Sequence, residues 1–205
     1  MISTAIVDAI KTETAAHLGA RAEWDEEPAL YTLHQQGDAV RLSFIPLPEL
    51  MWSAYGHPPT AVAAIAEAAP RMPRHPDGTH FLVRPAVGPL IGLAFRYEAY
   101  ALRSDSDQPA VREAVQRRQA GGSVPRYKDV PGRIEQRCMT VADVDGGRYM
   151  VSSGRITEGK PEATEPVVNY LAFADPHRDS LSGNVVDATI RLLNAIKPLP
   201  TKDAR

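Results

Sequence analysis

Two stretches of the chain carry Arg and Glu where a buried strand would carry Val or Ile. In RIEQRCMTVADVDGGRYMVSSGR (133–155), Arg133, Glu135 and Arg137 alternate along one arm of a hairpin that turns at Asp145-Gly146-Gly147. In LIGLAFRYEAYALR (90–103), Arg96 and Glu98 fall on one side, with Tyr100 beyond them. Alternate residues of a strand share a face, so each stretch presents a charged stripe. If the two strands are neighbours, opposite charges pair across them, and Arg148 in the return arm borders the group. Two uses of such a cluster compete. It can be the solvated face of an antiparallel sheet, laced by cross-strand ion pairs. Or Arg96 and Arg137 can line a cleft for an anion or an acidic partner, with Glu98 and Glu135 orienting the guanidiniums. For a small anion such as a nucleotide, Arg96, Arg137 and Arg148 would be the clamp and Glu98 a general base.

The remaining chemistry-bearing residues offer less. There is no GxxxxGK[ST] or GxGxxG loop to cradle a phosphate, no GxSxG elbow, no HExxH and no cysteine pair for zinc. The sole cysteine, Cys138, sits mid-strand on the face it shares with Ile134 and reads as a buried, inert thiol. His75, Asp77 and His80, together with Asp175, His177 and Asp179, would supply a mixed nitrogen and oxygen metal site if their loops met. The same residues beside Pro and Gly also build ordinary turns, and no metal or other cofactor is assigned. Arg112, Arg117, Arg118, Arg126 and Lys128 could meet phosphates, but the first three are not interleaved with aromatics. A formal net charge of −2 also argues against nucleic acid.

The elements that must position these groups follow from periodicity. A helical stripe of Ile2, Ile6, Ala9, Ile10 and His17 is interrupted by Glu13; Ser3 or Thr4 caps it and Gly19 stops it. His17 reads as a packing residue. Residues 29–36 and 39–45 flank Gly37-Asp38 as a β-hairpin. Two short helices follow, over 48–55 and from Pro58 to Pro70, the second rich in Ala. Residues 70–89 form a long Pro/Gly-rich loop with a short extended piece at 80–83. Strand 90–103 alternates, with Ile91, Leu93, Phe95, Tyr97, Ala99 and Ala101 on one face. A proline-started helix over 109–120, the 133–155 hairpin, a strand at 167–173 and an amphipathic helix at 181–197 complete the order α-ββ-α-α-β-α-ββ-β-α. The sequence therefore predicts an α+β fold. Its mainly antiparallel sheet is built from hairpins, and the N- and C-terminal amphipathic helices cover one face of it. Residues 1–197 are expected to form one domain and 198–205 a disordered tail.

The chain has 205 residues, 43% hydrophobic and 23% charged, an ordinary globular balance. One cysteine allows no intramolecular disulfide, which suits a reducing compartment. No apolar run is long enough to span a membrane, and a cytoplasmic protein is expected.

At GLAFRYEAYAL, RIEQRCMTVADVDGGRYMVSSGR and SGNVVDATIRLLNAI the chain resembles a set of small uncharacterised proteins of actinobacteria and their phages, over roughly residues 90–196. The resemblance brings no activity with it. It implies an accessory protein that works by binding a host or phage protein. The expectation is thus a non-catalytic protein-binding role, with Arg96, Glu98, Glu135, Arg137 and Arg148 as candidate contacts. The alternative is an enzyme or sensor for a small anionic ligand on the same cluster. Self-association through a sheet edge or the Ala-rich helix is a third possibility.

Overall fold

The structure is a computed structural model, and it describes residues 1–21, 23–84, 88–156, 167–171 and 184–198. At its centre is an antiparallel sheet of order β2-β1-β3-β4-β5-β6. The strands are β1 (Ala29–Gln36), β2 (Ala39–Ile45), β3 (Leu90–Ala101), β4 (Ile134–Asp143), β5 (Arg148–Ile156) and β6 (Val167–Leu171). The helices are α1 (Thr4–Gly19), α2 (Glu49–Ala54), α3 (Pro58–Ala68), α4 (Pro109–Gln119) and α5 (Asn184–Ile196). An α+β fold framed by N- and C-terminal helices is what the sequence predicts.

The two terminal helices do not share a face of the sheet. On one face, Ile6, Ile10 and Leu18 of α1 pack with Tyr31, Leu33, Val40, Ala94, Met139, Val141, Tyr149 and Val151. On the other, α3 and α5 meet Leu93, Phe95, Tyr97, Cys138 and Ala142. Both faces of β3 and β4 are apolar over half their length, so each needs its own cover. The expectation of one covered face missed this.

The stripe of α1 continues through Thr14 rather than Glu13. Thr14 is fully buried because its hydroxyl donates to the Ile10 carbonyl at 2.7 Å, which satisfies the polar group within the helix. Ser3 caps the helix by accepting from the Ile6 amide. In α5, Leu192, Leu193 and Ile196 are buried, each contributing about 1.5–3 kcal/mol of hydrophobic stabilisation. Trp52 of α2 stacks on Phe95 (ring centroids 6.0 Å), and Phe95 on Tyr97 (5.0 Å), tying α2 to the centre of the sheet.

Strand β3 contains a β-bulge. Leu33 of β1 pairs with Gly92 and His34 with Leu90, so Ile91 is the extra residue. Ile91 consequently joins the α1 side with Ala94, while Leu90 packs on the α5 side. The unbroken alternation read from the sequence holds only from Gly92 onward. A Cβ at Gly92 would meet the Ala142 carbonyl oxygen at 2.7 Å, which explains the glycine there.

Of the extended piece expected at 80–83, only His80 pairs, in an antiparallel bridge with Arg74, and the chain turns over 81–83. The ring of His80 is buried. Segments 157–166 and 172–183 and the tail 199–205, with the turns expected in them, lie outside the described residues.

Candidate functional site

The charged stripes meet as their alternation requires. Strands β3 and β4 are antiparallel neighbours, and Glu98 stands opposite Arg137 with Arg137 Nε 4.0 Å from Glu98 Oε1. Arg133 stacks over the Tyr100 ring at 5.2 Å. The stripe is not solvated, however. Arg96, Glu135 and Arg137 are 9%, 8% and 7% exposed. What covers them is the connector between α1 and β1, described at residues 20–21 and 23–28, to which the sequence analysis assigns no element.

This connector lies across the charged face like a strap, and the charged side chains hold its backbone. Arg137 donates from Nη1 to the Arg21 carbonyl and from Nη2 to the Glu23 carbonyl. Its guanidinium also sits over the Trp24 ring at 4.2 Å. Arg96 Nη2 donates to the Glu27 carbonyl at 2.9 Å, and Arg96 Nη1 to the Glu26 carboxylate. In the opposite sense, the Glu98 carboxylate accepts from the amides of Asp25 (3.0 Å) and Glu26 (3.5 Å). Asp25 takes φ 64°, the left-handed conformation that turns two successive N–H groups toward one anion. A strap without secondary structure cannot satisfy its own backbone, so buried charges from the sheet do it instead.

The electrostatics follow from this burial. Desolvation holds the Glu98 carboxyl above the usual carboxylate range, against the opposing pull of the Asp25 and Glu26 amides. His17, edge-on to Tyr31 at 4.7 Å, is pushed below its ordinary value first by burial and then by Arg21 and Arg96. The carboxylates of Asp25, Glu98 and Glu135 lie within 4.8 Å of one another and are a donor set a hard cation could use. Both oxygens of Glu98 are already committed to strap amides, which competes with such a use.

Four of the five sequence candidates, Arg96, Glu98, Glu135 and Arg137, therefore converge. Arg148 does not. It pairs with Ala142, which places it on the α5 face and five residues along β4 from Arg137, roughly 17 Å away. Under the strap, Arg21, Glu26, Glu27, Arg96, Tyr97, Glu98 and Arg137 enclose a void of only about 10 Å³. That holds one water and no nucleotide while the strap is in place.

Other reactive groups are committed to structure. Burial pushes the Cys138 thiol up to about 12. Asp143 is a buried turn anchor: its carboxylate accepts from the amides of Asp145 (3.0 Å) and Gly147 (2.7 Å) and from the Tyr149 hydroxyl (2.7 Å). His80 accepts from the Leu82 amide at Nδ1 and donates from Nε2 to the Ala69 carbonyl, so it has no lone pair left for a metal. Asp175, His177 and Asp179 lie outside the described residues.

Beside the strap runs a feature that the sequence reading missed. An open groove of about 490 Å³ curves around the end of the β1–β2 pair. Tyr31, Phe44, Ile45, Leu47 and Trp52 line it, and Arg21, Glu26, Glu27 and Arg96 form its polar side. Phe44 is 50% exposed, although it sits mid-pattern in a strand. The signal available in the sequence was the run SFIPLPELMW, where apolar side chains continue past the strand into a proline-broken segment.

No family model, curated protein or solved structure matches this chain. Among the described residues, no helix is long and apolar enough to cross a membrane.

Proposed function

We propose that this is a non-catalytic binding protein, and that its recognition surface is the groove at the end of β1 and β2, filled by a segment of a protein partner. The observation that carries this reading is the groove itself. An exposed Phe44 lies beside Tyr31, with an apolar wall from Leu47 and Trp52 and a charged rim from Arg21 and Glu26. Its volume is in the range that holds a ligand or a few side chains. It lies against β2, an edge strand with no further backbone hydrogen bonds among the described residues. The adjoining helix α2 also exposes Leu50, and Tyr55 follows it. An open apolar surface with a polar border suits a polypeptide better than a small molecule that must be engulfed.

The structural commitments of Cys138, Asp143, His80 and the strap-holding Arg and Glu residues support a role without bond chemistry. Among the sequence candidates, Arg96 touches the groove, while Glu98 and Arg137 serve it by fixing the strap that forms its side. The test is to pan a random peptide library against the protein and titrate the enriched peptides by fluorescence anisotropy. Enriched peptides should share a bulky apolar residue and should lose binding to a Phe44→Asp variant whose thermal midpoint is unchanged. No enrichment, or peptides that bind Phe44→Asp equally well, would overturn the reading.

A further inference from the structure

Within the groove one carboxylate is held by two guanidiniums. Glu26 Oε2 is 2.9 Å from Arg21 Nη1 and also accepts from Arg96 Nη1. The two arginines come from different elements, Arg21 from the strap just after α1 and Arg96 from the centre of β3. Each has a fixed second bond: Arg21 Nη2 to the Tyr31 hydroxyl at 3.4 Å, and Arg96 Nη2 to the Glu27 carbonyl at 2.9 Å. Arg96 Nε is buried and has no hydrogen-bond partner among the described residues. The pair is thus a preorganised carboxylate cradle, since planar guanidiniums with fixed partners lose little freedom on accepting an anion.

The cradle opens to the groove. Arg21, Arg96 and Glu26 all line it, and the side chains of Arg21 and Glu26 are 32% and 22% exposed. Glu26 is attached at a tense point of the chain, directly after Asp25 with its left-handed φ. Glu27 lies on the same lining. With Glu26 and Glu27 both present, a further acid would meet two negative charges, so an incoming carboxylate gains most by exchange with Glu26 rather than by addition to it.

We propose that Glu26 is an internal stand-in for an acidic side chain of the partner. The groove then takes a segment in which a bulky apolar residue lies against Phe44 and Tyr31, and a nearby Asp or Glu replaces Glu26 between Arg21 and Arg96. This rests on the groove being a polypeptide site, and it names the partner's chemistry and what holds the site closed. The free protein competes with its own ligand, so its affinity is set by how far the partner's acid outbids Glu26.

The experiment uses peptides enriched on the intact protein, each compared with its Asp→Asn or Glu→Gln counterpart, by fluorescence anisotropy. Wild type should prefer the acid over the amide by roughly tenfold, the scale of one charge-assisted hydrogen bond. Glu26→Gln should strengthen the acidic peptide by about the same factor and leave the amide peptide unchanged. Arg21→Gln, at a half-exposed position that does not threaten folding, should abolish the preference for the acid. Peptides that bind and compete at Phe44 but show no acid preference, with Glu26→Gln no tighter than wild type, would overturn this inference and leave the groove reading standing. Failure to obtain any Phe44-dependent peptide would remove both.

Discussion

Replacing Arg137 by Met removes a buried charge that makes two hydrogen bonds to strap carbonyls, stacks on Trp24 and faces Glu98. Breaking a buried ion pair from one side costs about 3–5 kcal/mol when the remaining charge stays dry. Here the strap is a surface segment whose carbonyls can hydrate, and Glu98 can take up a proton because burial already raises its carboxyl. Both reliefs favour the lower end, a loss of about 3 kcal/mol. For a chain of this size that lowers Tm by roughly 6–12 °C. Calorimetry gives the global loss. Hydrogen exchange at the Asp25 and Glu26 amides gives the local one, since those N–H groups bond Glu98 only while the strap is down. Adding Glu98→Gln to Arg137→Met should recover part of the loss, because no unpaired charge is then left behind. Arg112→Met, on the exposed side of α4, should stay within about 0.5 kcal/mol of wild type. An Arg137→Met protein as stable as the Arg112→Met control, with strap amides still protected, would refute the reasoning.

Three further outcomes are expected. Asp143→Ala strips three hydrogen bonds from the β4–β5 turn and should cost about 2–4 kcal/mol in urea unfolding, whereas Tyr149→Phe removes one and should cost about 1. His17 and His34 both have lowered values, chiefly through burial, so the unfolded chain binds their protons first. Stability should therefore fall as pH drops through about 6.5. Glu98 acts in the opposite sense, in a window starting above the ordinary carboxylate value. His17→Gln should flatten the pH dependence of Tm near pH 6. Cys138, buried with its thiol pushed up to about 12, should react with a thiol reagent only as fast as the protein opens; rapid native-state labelling would contradict the packing of β4 against α5.

Much of the fold was legible because its signals are local. The Gly37-Asp38 and Asp145-Gly146-Gly147 turns, the alternation in β2 and the apolar stripe of α5 each declare themselves within a few residues. The pairing of Glu98 with Arg137 followed from two alternating strands being neighbours. What was not legible depended on distant partners. The bulge at Ile91 arises where Gly92 must pass the Ala142 carbonyl, and the glycine was its only sequence trace. The placement of α1 and α5 on opposite faces depends on which of two apolar faces each helix reaches first, and the sequence order is silent on that. Arg148 has the right residue type but the wrong parity, because the length of the β4–β5 turn fixes which face it takes. Most consequential is the strap. Residues 20–28 have the composition of a solvated linker, and only the three-dimensional positions of Arg96, Glu98 and Arg137 show that its backbone is bound at both carbonyl and amide groups. The groove was hidden for the same reason, being walled on one side by that strap.

The most direct test of the account is an amide NMR titration of the protein with a Phe44-dependent peptide from the library. The largest shifts should fall at the end of β2, at Leu47 and Trp52, and at the strap amides 25–27, with β5 and α4 unmoved. Shifts centred on the Ala-rich helix α3, on α4 or on the outer end of the sheet, with β2 and the strap silent, would contradict it.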